Sequence, residues 1–149
     1  MIGELIRILT ATLGTLGFAL VFRVRHWHLV WATLGGTLAW VSDVIVSHLG
    51  GGAFLSSLAG ALAVCLWSEG MARWRKAPAN VYLIPGIVPL LPGSALYYAM
   101  EGAIYSDMEV FTQRGIDALL ASLGIAGGIL IASEIVRIIL VVQYKARRK

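Results

Sequence analysis

The chain has 149 residues, of which 58% are hydrophobic and only 13% charged. A soluble domain carries about 25% charged residues, so this composition cannot cover a water-exposed surface, and lipid is the expected solvent. The net charge of +4 does not point to nucleic acid, because the basic residues stand in short clusters beside apolar runs rather than on one broad face.

The first apolar segment covers about residues 2–22. It lacks the basic start and small-residue cleavage site of a secretory signal, so it reads as a retained helix. Arg23 and Arg25 close it, and Trp27 and Trp31 follow, the pattern of a membrane–water boundary. The second segment, about residues 29–47, is interrupted only by Asp43. Gly50, Gly51 and Gly52 then allow a tight turn. The third, about residues 53–72, ends in Arg73, Trp74, Arg75 and Lys76. Cys65 lies within it; as the single cysteine it excludes an intramolecular disulfide and reads as a small hydrophobe. The fourth, about residues 77–100, is free of acidic side chains and broken by prolines. A polar loop is expected to carry Glu101, Asp107, Glu109 and Arg114, before a last segment at about residues 115–142 and a tail with Lys145, Arg147, Arg148 and Lys149.

These features predict an all-α polytopic membrane protein of about five transmembrane helices, with residues 1–149 forming a single transmembrane domain. Nine of the 12 basic residues follow the first, third and fifth segments. Those ends share one face if every segment crosses, and the positive-inside tendency makes that face cytoplasmic. The N-terminus is then outside and the C-terminus inside. If the proline-rich segment were a re-entrant loop, four spans would remain and the basic tail would fall outside, against the charge bias.

Residues 84–93 read Ile-Pro-Gly-Ile-Val-Pro-Leu-Leu-Pro-Gly. Each proline removes a backbone donor and crowds the preceding turn, so an ordinary helix cannot persist through Pro85, Pro89 and Pro92. Freed carbonyls are costly in hydrocarbon, and this backbone must face protein or a water-filled cavity. Two readings fit: a kink that shapes packing, or an interruption of the kind by which transporters offer backbone groups to a polar substrate.

The string from Pro85 to Gly93, followed by Tyr97 and Tyr98, resembles the signature of the threonine/serine exporter (ThrE) family in its C-terminal membrane domain. Chains with that domain alone resemble the small YjjB-like subunit that accompanies a larger YjjP-like membrane partner. The resemblance implies a bacterial plasma-membrane exporter of small hydroxy amino acids or of dicarboxylates such as succinate, driven by the proton gradient. It implies no cofactor and makes Pro85, Gly86, Pro89, Pro92 and Gly93 the lining of the substrate path. Long family members carry an additional membrane domain that this sequence lacks, which implies a partner. The alternative is a non-transporting subunit that stabilises a larger membrane protein.

Ionisable groups within spans are functional candidates, because burying them in lipid is costly. Asp43 has no basic neighbour within a helical turn; it is either a proton-coupling carboxylate or a boundary residue wetted by headgroups. Glu134 is the second candidate for proton handling, and its bland reading is an ion pair with Arg137, three residues on. Glu69 and Arg73 have the spacing of a helical ion pair. His26 and His28 are a weak metal signal without further ligands and read as interfacial. Gly124 and Gly128 on the last helix, and Ala53, Ser57 and Ala61 on the third, form small faces suited to helix contact. No phosphate-binding loop, metalloprotease motif or serine–histidine–acid arrangement occurs.

Overall fold

In hydrocarbon a backbone must satisfy its own hydrogen bonds, and every regular element described here is helical. The computed structural model describes residues 2–147. Helices α1 (Ile2–Val21), α2 (His26–His48) and α3 (Ala53–Arg75) are followed by α4 (Asn80–Ile87), a 3-10 turn at Val88–Leu90, α5 (Gly93–Ile104) and α6 (Met108–Arg147). By length and composition α2, α3 and α6 can each cross a membrane, and α4 with α5 makes a fourth span bent by 43°. The described apolar stretch of α1, Ile6–Val21, is shorter. This is an all-α polytopic membrane fold.

Four helices end in the same way. A residue with positive φ follows each last turn: Arg23 at 54°, Gly50 at 86°, Lys76 at 52° and Ser106 at 58°. The next amide then donates back five residues, as in Val24 N to Ala19 O (2.9 Å), Gly51 N to Val46 O (2.9 Å), Ala77 N to Ala72 O (3.0 Å) and Asp107 N to Gly102 O (2.8 Å). This closure satisfies carbonyls that a helix end leaves open. It also makes the connections short, so consecutive helices pack side by side.

The expected polar loop is only Tyr105–Asp107. Asp107 accepts from Val110 N through its side chain (3.2 Å) and from Phe111 N through its carbonyl (3.0 Å), which starts α6 several residues before the expected position. Glu109 and Arg114 are therefore helical. At 40 residues and 1.5 Å per residue, α6 is about 60 Å long.

Small residues set the helix contacts. A Cβ on Gly124 would fall against the Phe54 carbonyl oxygen, and one on Gly128 would lie 2.5 Å from the Leu58 oxygen. The α3 and α6 backbones thus meet directly, as the small faces anticipate. Between α1 and α2, the Thr12 and Thr37 hydroxyls share a 2.9 Å hydrogen bond, and Gly36 admits the Thr15 side chain. Two buried clusters form the interior. One joins Ala39, Ala61, Val64, Leu90 and Ile125; the other joins Ala19, Ala32, Met71 and Tyr82.

Candidate functional site

The proline segment breaks later than its first proline suggests. Pro85 lies inside α4 and is buried, and its missing donor there deprives only the Val81 carbonyl of an α-helical partner. The path changes at Val88–Leu90, where the turn tightens, and at Leu91, which is extended with ψ 130°. Pro92 precedes α5 and gives it no side-chain cap. Gly86 permits a close crossing: its Cβ would stand 2.5 Å from Val64 Cγ2 and 3.5 Å from Gly36 N. The broken strip is therefore packed against α2 and α3 at one end and free to face a cavity at the other.

That cavity is about 390 Å³, within the range of small-molecule sites, about 300–1,000 Å³. The break supplies Pro89, Leu90, Leu91 and Pro92, and the first turn of α5 supplies Ser94 and Ala95. Asp43 and Ser47 come from α2, Ser56 and Ser57 from α3, and Arg114 and Asp117 from α6. The Ser56 hydroxyl donates to the Ala53 carbonyl (3.4 Å) and lines the same cavity as the Asp43 carboxylate. One guanidinium, two carboxylates and four hydroxyls thus surround the start of an uncapped helix, whose amide groups favour an anionic partner.

Trp40 adds a further donor. Among the described residues, its indole Nε1 is a buried side-chain nitrogen with no hydrogen-bond partner. Such an orphan is costly unless another group completes it. Trp40 borders the polar cavity and also a smaller one of about 160 Å³, shared by Arg7, Asp43, Ser47 and His48. Asp43 therefore stands where the two spaces meet, and Arg7 of α1 lines the smaller one with it, a neighbour that spacing along α2 does not reveal.

Of the residues singled out in the sequence, Asp43, Pro89 and Pro92 meet in the polar cavity. Pro85 and Gly86 pack below it, and Gly93 is the first residue of α5. Glu134 stands elsewhere: it pairs with Arg137 at 3.5 Å on an exposed face of α6. That pair lies 17 residues along the helix from Asp117, about 25 Å at 1.5 Å per residue. Glu69 pairs with Arg73 at 3.7 Å as its spacing suggests. His28 shares a 2.6 Å hydrogen bond with the buried Tyr82 hydroxyl.

Arg114 and Asp117 are the residues that sequence reasoning passes over. A signal was present: Arg114, Asp117 and Ala121 are spaced three and four apart, one helical face. It becomes readable only once Asp107 is taken as a helix cap rather than a loop residue. Residues 7–135 match the threonine/serine exporter (ThrE) family. No solved structure matches the chain.

Proposed function

The chain belongs to the threonine/serine exporter family, and from that premise we propose that the cavity at the helix break is the substrate site of a secondary exporter for small hydroxy amino acids. The observation that carries this reading is the convergence of Arg114, Asp43, Asp117 and four serines on Pro89–Pro92. A zwitterionic amino acid needs a cation or helix start for its carboxylate and an anion for its ammonium group. Arg114 with the first turn of α5 answers the first need, and Asp43 with Asp117 the second. Ser47, Ser56, Ser57 and Ser94 supply partners for a side-chain hydroxyl.

The same charges favour an amino acid over a dicarboxylate such as succinate. A dianion would place a second negative group beside Asp43 and Asp117 with no second guanidinium in the lining, and like charges in a poorly solvated site repel strongly. Asp43, between the two cavities, takes the role of the proton-coupling carboxylate, since a partly buried acid in a span can exchange a proton between two water-accessible spaces. Transport is proposed to require a larger YjjP-like membrane subunit, because Ser47, Ser94 and Arg114 are exposed on this chain alone and a transport site must be closed on all sides. The assembly belongs in a bacterial plasma membrane with the arginine-rich ends cytoplasmic.

The test is export from bacterial cells fed threonine- or serine-containing dipeptides, expressing this chain, the larger subunit, both or neither. Release of the free amino acid only with both chains, together with its loss in Arg114→Gln at unchanged protein level, is the expected result. Export by the larger subunit alone would reduce this chain to a supporting role, and succinate release exceeding amino-acid release would overturn the substrate assignment.

A further inference from the structure

A second cavity, of about 560 Å³, lies at the arginine-rich end of the bundle, along α4 before the break, and shares no lining residue with the polar site. Its walls are Phe22, Val24, Val81 and Ile84, with Pro78 and Pro85, and its charged groups are Arg23 and Arg25. No carboxylate lines it. Phe22 and Ile84 are each 50% exposed, so the apolar wall opens to the outside of the bundle, where lipid chains lie.

Two of the other cations of this end, Arg73 and Arg75, are already engaged. Arg73 pairs with Glu69, and the Arg75 guanidinium stacks over Trp31 and Trp74 at 5.4 and 4.8 Å. Among the described residues, Arg23 and Arg25 have no ion-pair partner. Arg23 holds a left-handed backbone at φ 54°, a position where glycine is the easier residue; the turn itself does not call for arginine. Two helix starts also border the space: α2 after Arg25 and α4 after Ala79, neither with a side-chain cap. Cationic side chains, uncapped helix starts and an apolar wall open to lipid together match one chemistry, a phosphate joined to an acyl chain.

We infer that this cavity binds one acidic phospholipid, its phosphate held between Arg23 and Arg25 and an acyl chain laid along Phe22 and Ile84. The inference stands apart from the exporter reading, because none of its residues lines the polar cavity. It ties the lipid to the base of the broken helix, since Val81, Ile84 and Pro85 all belong to α4. His28 lines the same space with its Nδ1 engaged by Tyr82, which leaves the two arginines as the charged contacts.

The experiment is native mass spectrometry of the purified full chain, offered phosphatidylglycerol, phosphatidylcholine or inorganic phosphate. One retained phosphatidylglycerol is expected, against neither of the other two. The R23G/R25Q double variant is expected to weaken retention roughly thirtyfold, the effect of two basic residues near an anionic headgroup. Because glycine suits the backbone at position 23, this variant keeps its fold, checked by an unchanged thermal midpoint in detergent. Ile84→Trp, which fills the groove while keeping both charges, is expected to displace the lipid as well. Lys145→Gln, a basic residue outside the cavity, leaves retention unchanged. Equal retention of phosphatidylcholine, retention of phosphatidylglycerol by the double variant, or an equal loss in the Lys145 variant would overturn the proposal. Binding of inorganic phosphate with no lipid retained would overturn it in favour of a free-anion site.

Discussion

The seam between α3 and α6 and the break between α4 and α5 are both built from residues that disfavour a soluble helix, yet they use them for opposite ends. Along the seam, Gly124 and Gly128 remain in regular helix and serve by what they lack, letting Phe54 and Leu58 bring their backbones to the α6 surface. At the break, Pro89 and Pro92 interrupt regular helix and leave backbone groups beside Asp43, Arg114 and Asp117. Glycine at the seam gains dispersion contacts and closes the bundle. Proline at the break exposes polar backbone and is tolerated only because a polar cavity receives it. Enrichment in glycine and proline therefore says little until the neighbours of each residue are known.

Substitutions at the two regions should fail in different ways. The largest effect is expected for Gly124→Leu, whose side chain meets backbone that cannot move aside without parting α3 from α6; loss of a monodisperse peak in detergent size-exclusion chromatography is the readout. Gly124→Ala should be milder, about 1–3 kcal/mol as for an overpacked core, seen as a lowered thermal midpoint. If Gly124→Ala were as stable as the parent, the direct backbone contact would be refuted.

Arg114→Gln and Asp43→Asn reverse the pattern. Stability should change little, whereas export should fall roughly tenfold to a hundredfold, as expected when a charged hydrogen bond of about 1.5–3 kcal/mol is lost. Dipeptide-fed export with protein level quantified checks both. A smaller change is expected for Pro89→Ala: a few-fold loss of export with stability kept or raised, because alanine restores a donor and favours helix by up to about 3 kcal/mol over proline. Export equal to the parent would separate the break from the substrate path. The smallest effect belongs to Glu134→Gln, whose exposed pair contributes about 0–1 kcal/mol and whose loss should leave export within about twofold of the parent.

These expectations also mark what the sequence makes legible. The apolar segments, the proline break and the small face of α6 are local properties, and each is visible in a short window of residues. The site is not local. Asp43 and Ser56 line one cavity from either side of the Gly50 turn, and Arg7 of α1 shares the smaller cavity with the same acid, placements that depend on how whole helices pack. Arg114 is hidden for a sharper reason: polar residues before an apolar run look like a loop unless the Asp107 cap is recognised. Glu134 shows the converse case, an acid that draws attention within an apolar helix while the partner its spacing suggests, Arg137, stands only one turn away.

The uninterrupted course of α6 has a mechanical consequence. Arg114 and Asp117 near one end and Lys145 near the other ride on one rod with no proline within it. From Asp117 to Arg147 the rod is about 45 Å at 1.5 Å per residue, so each degree of tilt about the cavity end carries the far end through about 0.8 Å. A few degrees, small enough to pass as a rearrangement of side chains where the charged residues sit, displaces the basic end by the width of an atom. Any tilt of α6 would therefore be geared, its two ends coupled as those of a lever rather than through a chain of separate contacts.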